Sequence, residues 1–161
     1  MGKLRENLGD YDNCGLPSAL EAMGERWSFM ILRAAFNGLH HFEEFQSELG
    51  IARNILAGRL ARLVDHGILE RTALSTDRRK VVYALTEKGA GLLPAMVALR
   101  QWGEKWGRIE SSPVLVDNRD ELPIRAVALQ AHDGRTLRLE ELRWKHTDEL
   151  TELGGHREEE A

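Results

Sequence analysis

The stretch STDRRKVVYALTEKG, residues 75–89, decides how the chain is read. It sets three cations, Arg78, Arg79 and Lys80, directly before an alternating apolar run in a protein of formal net charge −4. Ser75, Thr76 and Asp77 are turn formers, because their short polar side chains bond to nearby backbone. ILERTAL before the turn and VVYAL after it carry the β-branched and aromatic residues that suit strands. Residues 68–73 and 80–85 are therefore predicted to form a two-stranded hairpin with its cations at the tip, placed for phosphate or the minor groove.

Upstream, IARNILAGRLARLVDHG puts Leu56, Leu60, Leu63 and Val64 on one helical face and Arg53, Asn54, Ala57, Arg59 and Arg62 on the other, with Gly67 as its end. LHHFEEFQSELG before it gives a short helix marked by Phe42, Phe45 and Leu49 and stopped by Gly50. Two helices joined by a glycine-containing turn form the helix-turn-helix pattern. Further back, Leu20, Met23, Trp27, Met30 or Ile31, and Ala34 keep helical spacing. Ser18 followed by Glu21 reads as a capping box, Gly24 divides the run into two helices, and Asn37-Gly38 closes the second. Downstream, Thr86 is the expected cap of a long helix striped by Leu92, Met96, Leu99, Trp102 or Gly103, and Trp106. Pro94 inside it predicts a kink or break. The fold class is mainly α with a small β wing, a winged helix-turn-helix.

Charge is unevenly distributed. Residues 1–52 carry −4, residues 53–80 carry +4, residues 81–139 carry +1 and residues 140–161 carry −5. A local basic stripe is the footprint of phosphate binding whatever the total charge. At 42% hydrophobic the chain can bury a core, yet no apolar run approaches the ~18 residues of a membrane span. MGKLRENLGDYDN lacks the apolar centre of a secretory signal, so the cytoplasm is the expected location. The single cysteine, Cys14, excludes an internal disulfide framework and a multi-cysteine zinc site. His40-His41 beside Glu43-Glu44 has no third ligand at a recognisable spacing and reads as a short strand followed by an acidic first turn. His132 and His146 are read as equally ordinary, so neither metal nor cofactor is expected. There is no Ser-x-x-Lys, G-x-S-x-G, phosphate loop or H-E-x-x-H motif, and no catalytic residue is assigned.

The expected organisation is a polar arm (1–13), a DNA-binding and dimerisation domain (14–110), a C-terminal β-hairpin extension (113–146) turning at Asp133-Gly134, and an acidic disordered tail (147–161). The run from Cys14 through ALEAMGERWSFMILR, then HHFEEFQSELGIARNILAGRLARLVDHGILER and VVYALTEKGAGLLPAMVALRQWGEKWG, resembles the HxlR-type bacterial transcriptional regulators over residues 14–107. The resemblance implies a homodimer on a pseudo-palindromic, double-stranded operator, acting as a repressor under a redox, electrophile or small-molecule signal. The N-terminal helix and the helix of Trp102 and Trp106 are the available dimer surfaces. Arg forks onto guanine and Asn onto adenine, so Arg53 and Asn54, nearest the helix start, are expected at base edges. Arg59 and Arg62 are expected at phosphates, and Ala57 and Gly58 leave room for close approach. Relatives with a cysteine just ahead of the first helix use it to sense oxidants or electrophiles, and Cys14 stands at that position. Its two readings are a sensor thiol and an inert small apolar residue. The competing function is a winged helix that binds protein rather than DNA, which the +4 block opposes.

Overall fold

Leucines three and four residues apart make one face of a helix apolar, and such a helix is stable only when that face is covered. Leu56, Leu60 and Leu63 of the helix Arg53–Asp65 are fully buried, against Ile31 and Leu32 of Arg26–Phe36 and Phe45 of Phe42–Leu49. In the computed structural model, which describes residues 14–73, 80–107 and 112–145, the order is α1 (Gly15–Met23), α2 (Arg26–Phe36), α3 (Phe42–Leu49), α4 (Arg53–Asp65), β1 (Leu69–Ala73), β2 (Val81–Leu85), α5 (Glu87–Ala90) and α6 (Leu93–Gly107). A short 3-10 turn, Leu139–Glu141, follows. Ile68 and Leu69 complete the core, and each such buried side chain contributes about 1.5–3 kcal/mol. No helix among the described residues is long and apolar enough to cross a membrane.

The chain divides into two compact units, residues 18–127 and residues 1–17 with 128–161. In the first, β1 and β2 pair antiparallel from Leu69↔Leu85 to Ala73↔Val81. Only Leu69 of β1 is buried, while all five residues of β2 are half-buried, so the hairpin forms a wing that leans on the core through its second strand. The predicted turn at Ser75, Thr76 and Asp77, with Arg78 and Arg79, lies outside the described residues, as do the arm 1–13 and the tail 147–161. Residues 112–127 are fastened to α6. The Arg100 guanidinium donates to the Pro113 carbonyl, while the Gln101 amide donates to the Arg125 carbonyl (3.2 Å) and accepts from the Val127 N–H (2.8 Å).

Several local expectations change. Ser18 is not a cap, because α1 already begins at Gly15 and Ser18 lies in its second turn. The α1–α2 break does fall at Gly24, whose φ of +67° is the left-handed conformation that a side chain disfavours. Asn37 keeps a negative φ and donates from its side chain to the Arg33 carbonyl, leaving the left-handed step to Gly38. The long helix breaks rather than kinks. α5 ends at Ala90, and Pro94 falls in the first turn of α6, where a missing N–H breaks no bond. Thr86 caps as expected, accepting from the Gly89 N–H at 3.0 Å, and its hydroxyl donates to the Gly67 carbonyl at 2.7 Å.

In the second unit the turn at Asp133-Gly134 is present, with Gly134 at φ +82°. The anticipated strands around it shrink to one bridge, Gln130↔Thr136, with the Leu137 N–H donating to the Leu129 carbonyl at 2.8 Å. A two-stranded ribbon without an apolar face to cover is marginal, and Leu129 and Leu139 are exposed.

Gly89 is the tightest glycine of the winged unit, since a Cβ there would lie 2.2 Å from the Ile68 carbonyl oxygen. Gly89→Ala is expected to lower stability by about 1–3 kcal/mol in urea unfolding. Gly58→Ala, where nothing lies within 4 Å of the added carbon, is expected to raise it by up to about 1 kcal/mol. Equal midpoints for the two variants would contradict this packing.

Candidate nucleic-acid interface

Because α4 is held by its leucines, its opposite face is turned to solvent. Arg53, Asn54 and Ala57 are exposed there, and Arg59 and Arg62 are half-buried. The four polar side chains fall into two groups. Arg59 pairs with Glu25 at 2.5 Å. Arg62 donates through Nε (3.2 Å) and Nη2 to the Glu21 carbonyl. Both are thereby tied to the corner between α1 and α2 that Gly24 forms. Arg53 makes no such tie; its guanidinium carbon lies 4.7 Å from the centre of the Phe42 ring. Asn54, Gly58, Arg59 and Arg62 line an open depression along the outer side of α4.

The wing is held beside this face along its second strand, from Tyr83 at mid-strand to Val81 at its start. The Tyr83 N–H donates to the His40 carbonyl (2.8 Å), and the Tyr83 ring meets Phe45 edge-on at 6.4 Å. His40 Nδ1 lies 3.3 Å from the Tyr83 carbonyl, and His41 Nδ1 lies 3.1 Å from the Val81 carbonyl. A carbonyl oxygen only accepts, so each ring presents its Nδ1–H to β2. Lys80, which starts the second arm of the wing, is exposed.

The Glu44 carboxylate accepts from the backbone N–H of His40 and of His41, both at 2.9 Å. Those two bonds, His40 first and His41 second, hold its pKa below the ordinary 4.5. Cys14 is an exposed free thiol one residue ahead of α1. Among the described residues no three His, Cys, Asp or Glu side chains converge as metal ligands.

Phe42, Glu25, Glu21, His40 and His41 were not assigned to this surface from sequence. Phe42 carries the ordinary mark of a core residue, and only its contact with Arg53 shows a second use. Glu25 and the Glu21 carbonyl lie 34 and 41 residues before their arginine partners, a separation no periodicity reports. Beside the histidine pair the acidic first turn, Glu43 and Glu44, forms as expected, but the short strand expected at His40-His41 does not: the pair is extended chain whose ring bonds go to β2, about forty residues away.

The sequence pattern of the HxlR-like helix-turn-helix family matches residues 22–111. Among curated proteins, the chain is similar to the uncharacterized HTH-type transcriptional regulator Rv3095 of Mycobacterium tuberculosis, 43% identical over 97 residues, which are 60% of this chain and 61% of that protein. The chain thus spans less than two thirds of the length of that relative. Among solved structures, PA1607 superposes with a TM-score of 0.78 at 39% identity over 84% of this chain and 96% of its own. The redox regulator HypR in its oxidized form superposes with a TM-score of 0.53 at 29% identity over 57% of this chain and 96% of its own.

Glu44 makes a pH prediction. A carboxylate whose folded pKa is lowered contributes stability above its unfolded value and loses it as pH falls through the folded value. Wild type is therefore expected to exceed Glu44→Gln in thermal midpoint at pH 7, with the gap closing below about pH 4.5. A gap that stays constant down to pH 3 would remove the clamp.

Proposed function

The chain belongs to the HxlR-like helix-turn-helix family, and from that premise we propose that it is a dimeric, sequence-specific DNA-binding transcriptional regulator, not an enzyme. The observation that carries this is the exposed polar face of α4, Arg53, Asn54 and Ala57, fixed by three fully buried leucines and flanked by the wing. A helix enters the major groove with its first residues at base edges. Arg53 and Asn54 take that place, and Ala57 permits close approach. Arg59 and Arg62 contact phosphates by exchanging Glu25 and the Glu21 carbonyl for phosphate oxygens. Arg78, Arg79 and Lys80 follow the backbone or minor groove beside the site.

One helix reads only a few base pairs, and two copies about 34 Å apart double the readout. The dimer surface is supplied by α6, where Leu99, Trp102 and Trp106 are exposed, and by α1, where Leu20 is exposed. Apolar side chains of that size facing solvent support a partner. Operator occupancy represses by occluding a promoter in the cytoplasm. Cys14 is accessible for oxidation or electrophile attack, and HypR, a redox regulator in name, supports a thiol-borne signal.

Selection of bound sequences from random duplex DNA, with the full chain, tests the reading. A two-fold-related site is expected, with affinity falling about a thousandfold or more between 50 and 200 mM salt. Arg79→Ala is expected to reduce the salt slope by about one without changing base preference. Trp102→Ala with Trp106→Ala is expected to shift sedimentation toward monomer. Cys14→Ser is expected to abolish release of DNA by oxidant. Salt-insensitive association, or no selected sequence, would favour a protein-binding module instead.

A further inference from the structure

The contrast among the arginines of α4 leads beyond a general DNA-binding face. We propose that Arg53 reads a guanine in each half-site and that Phe42 is the positioning residue that aims it, an inference that rests on α4 being the helix that reads DNA.

Arg53 is the first residue of α4, the end of such a helix that meets base edges. Among the described residues it has no hydrogen-bond or ion-pair partner, whereas Arg59 and Arg62 are both engaged. Its guanidinium lies over the Phe42 ring. An aromatic ring takes up one face of the guanidinium, whose five N–H donors lie in its plane and stay open. The ring also limits the rotamers of a long side chain before any ligand arrives, so less freedom is lost on binding.

The platform itself is rigid. Phe42 is the first residue of α3, half-buried against the core. The two residues before it are held by Glu44 through their N–H groups and by β2 through their rings. A planar fork fixed in this way matches two acceptors on one edge, and guanine presents O6 and N7 together in the major groove. A phosphate also accepts, but it carries no base preference, and that difference makes the proposal testable.

The test uses the full chain on the selected operator, with each base pair of one half-site changed in turn. Wild type is expected to prefer guanine at one position by about tenfold or more. Arg53→Lys, which keeps the charge and loses the fork, is expected to erase that preference while leaving the salt slope intact. Phe42→Leu is expected to reduce the preference at the same position severalfold, Phe42→Tyr to retain it, and Phe42→Leu added to Arg53→Lys to change nothing further. A purely structural role for Phe42 would weaken binding equally on all bases and lower the thermal midpoint, and that result overturns the proposal. A guanine preference untouched by Arg53→Lys overturns it as well. Failure of wild type to bind any duplex would instead remove the function on which the proposal rests.

Discussion

The rest of the molecule depends on the burial of Leu56, Leu60 and Leu63 against Ile31, Leu32 and Phe45. Successive residues of a helix are rotated by about 100°. A turn of α4 by one residue would bring leucines into water and arginines into the core, which costs several kcal/mol. The apolar face therefore sets the direction of the polar one. Arg53, Asn54 and Ala57 are presented outward because their neighbours three and four positions away are not free to move.

The polar contacts refine that arrangement rather than create it. A half-exposed pair such as Arg59–Glu25 contributes about 0–1 kcal/mol. Its consequence is geometric: with Arg62 on the Glu21 carbonyl, it joins α4 to the corner between the first two helices. The wing follows the same logic. β1 buries only Leu69, so the apolar packing of the hairpin comes mainly from the half-buried β2, whose Tyr83 and Leu85 lie against the core. Along β2 the hairpin is held as well by the Tyr83 N–H, the two histidine rings and the Phe45–Tyr83 contact.

Much of this architecture was legible in the chain. The leucine spacing of α4, Gly24, Gly50 and Gly67 as element ends, the wing strands and the Thr86 cap are local signals, each carried within a few residues. Where the reading missed, several local signals competed. Ser18 followed by Glu21 has the form of a cap, but the preceding Gly15–Pro17 already accepts helical geometry. Pro94 interrupts an apolar period, but the chain absorbs it by ending one helix at Ala90 and starting another at Leu93. The run 124–139 reads as a hairpin, yet among the described residues its Ile124, Val127, Leu129 and Leu139 are exposed, and a single bridge, Gln130↔Thr136, forms within it.

The sequence by itself determined which elements form and which side of each is apolar, because backbone preference and hydrophobic period act over neighbours three or four residues apart. Only the tertiary structure decided which partner, among the described residues, each arginine of α4 meets. Glu25 reaches Arg59, Glu21 reaches Arg62 and Phe42 reaches Arg53 only after packing sets three helices at fixed angles. Such contacts depend on distances of a few ångström between residues far apart in the chain, and composition and spacing carry no record of those distances.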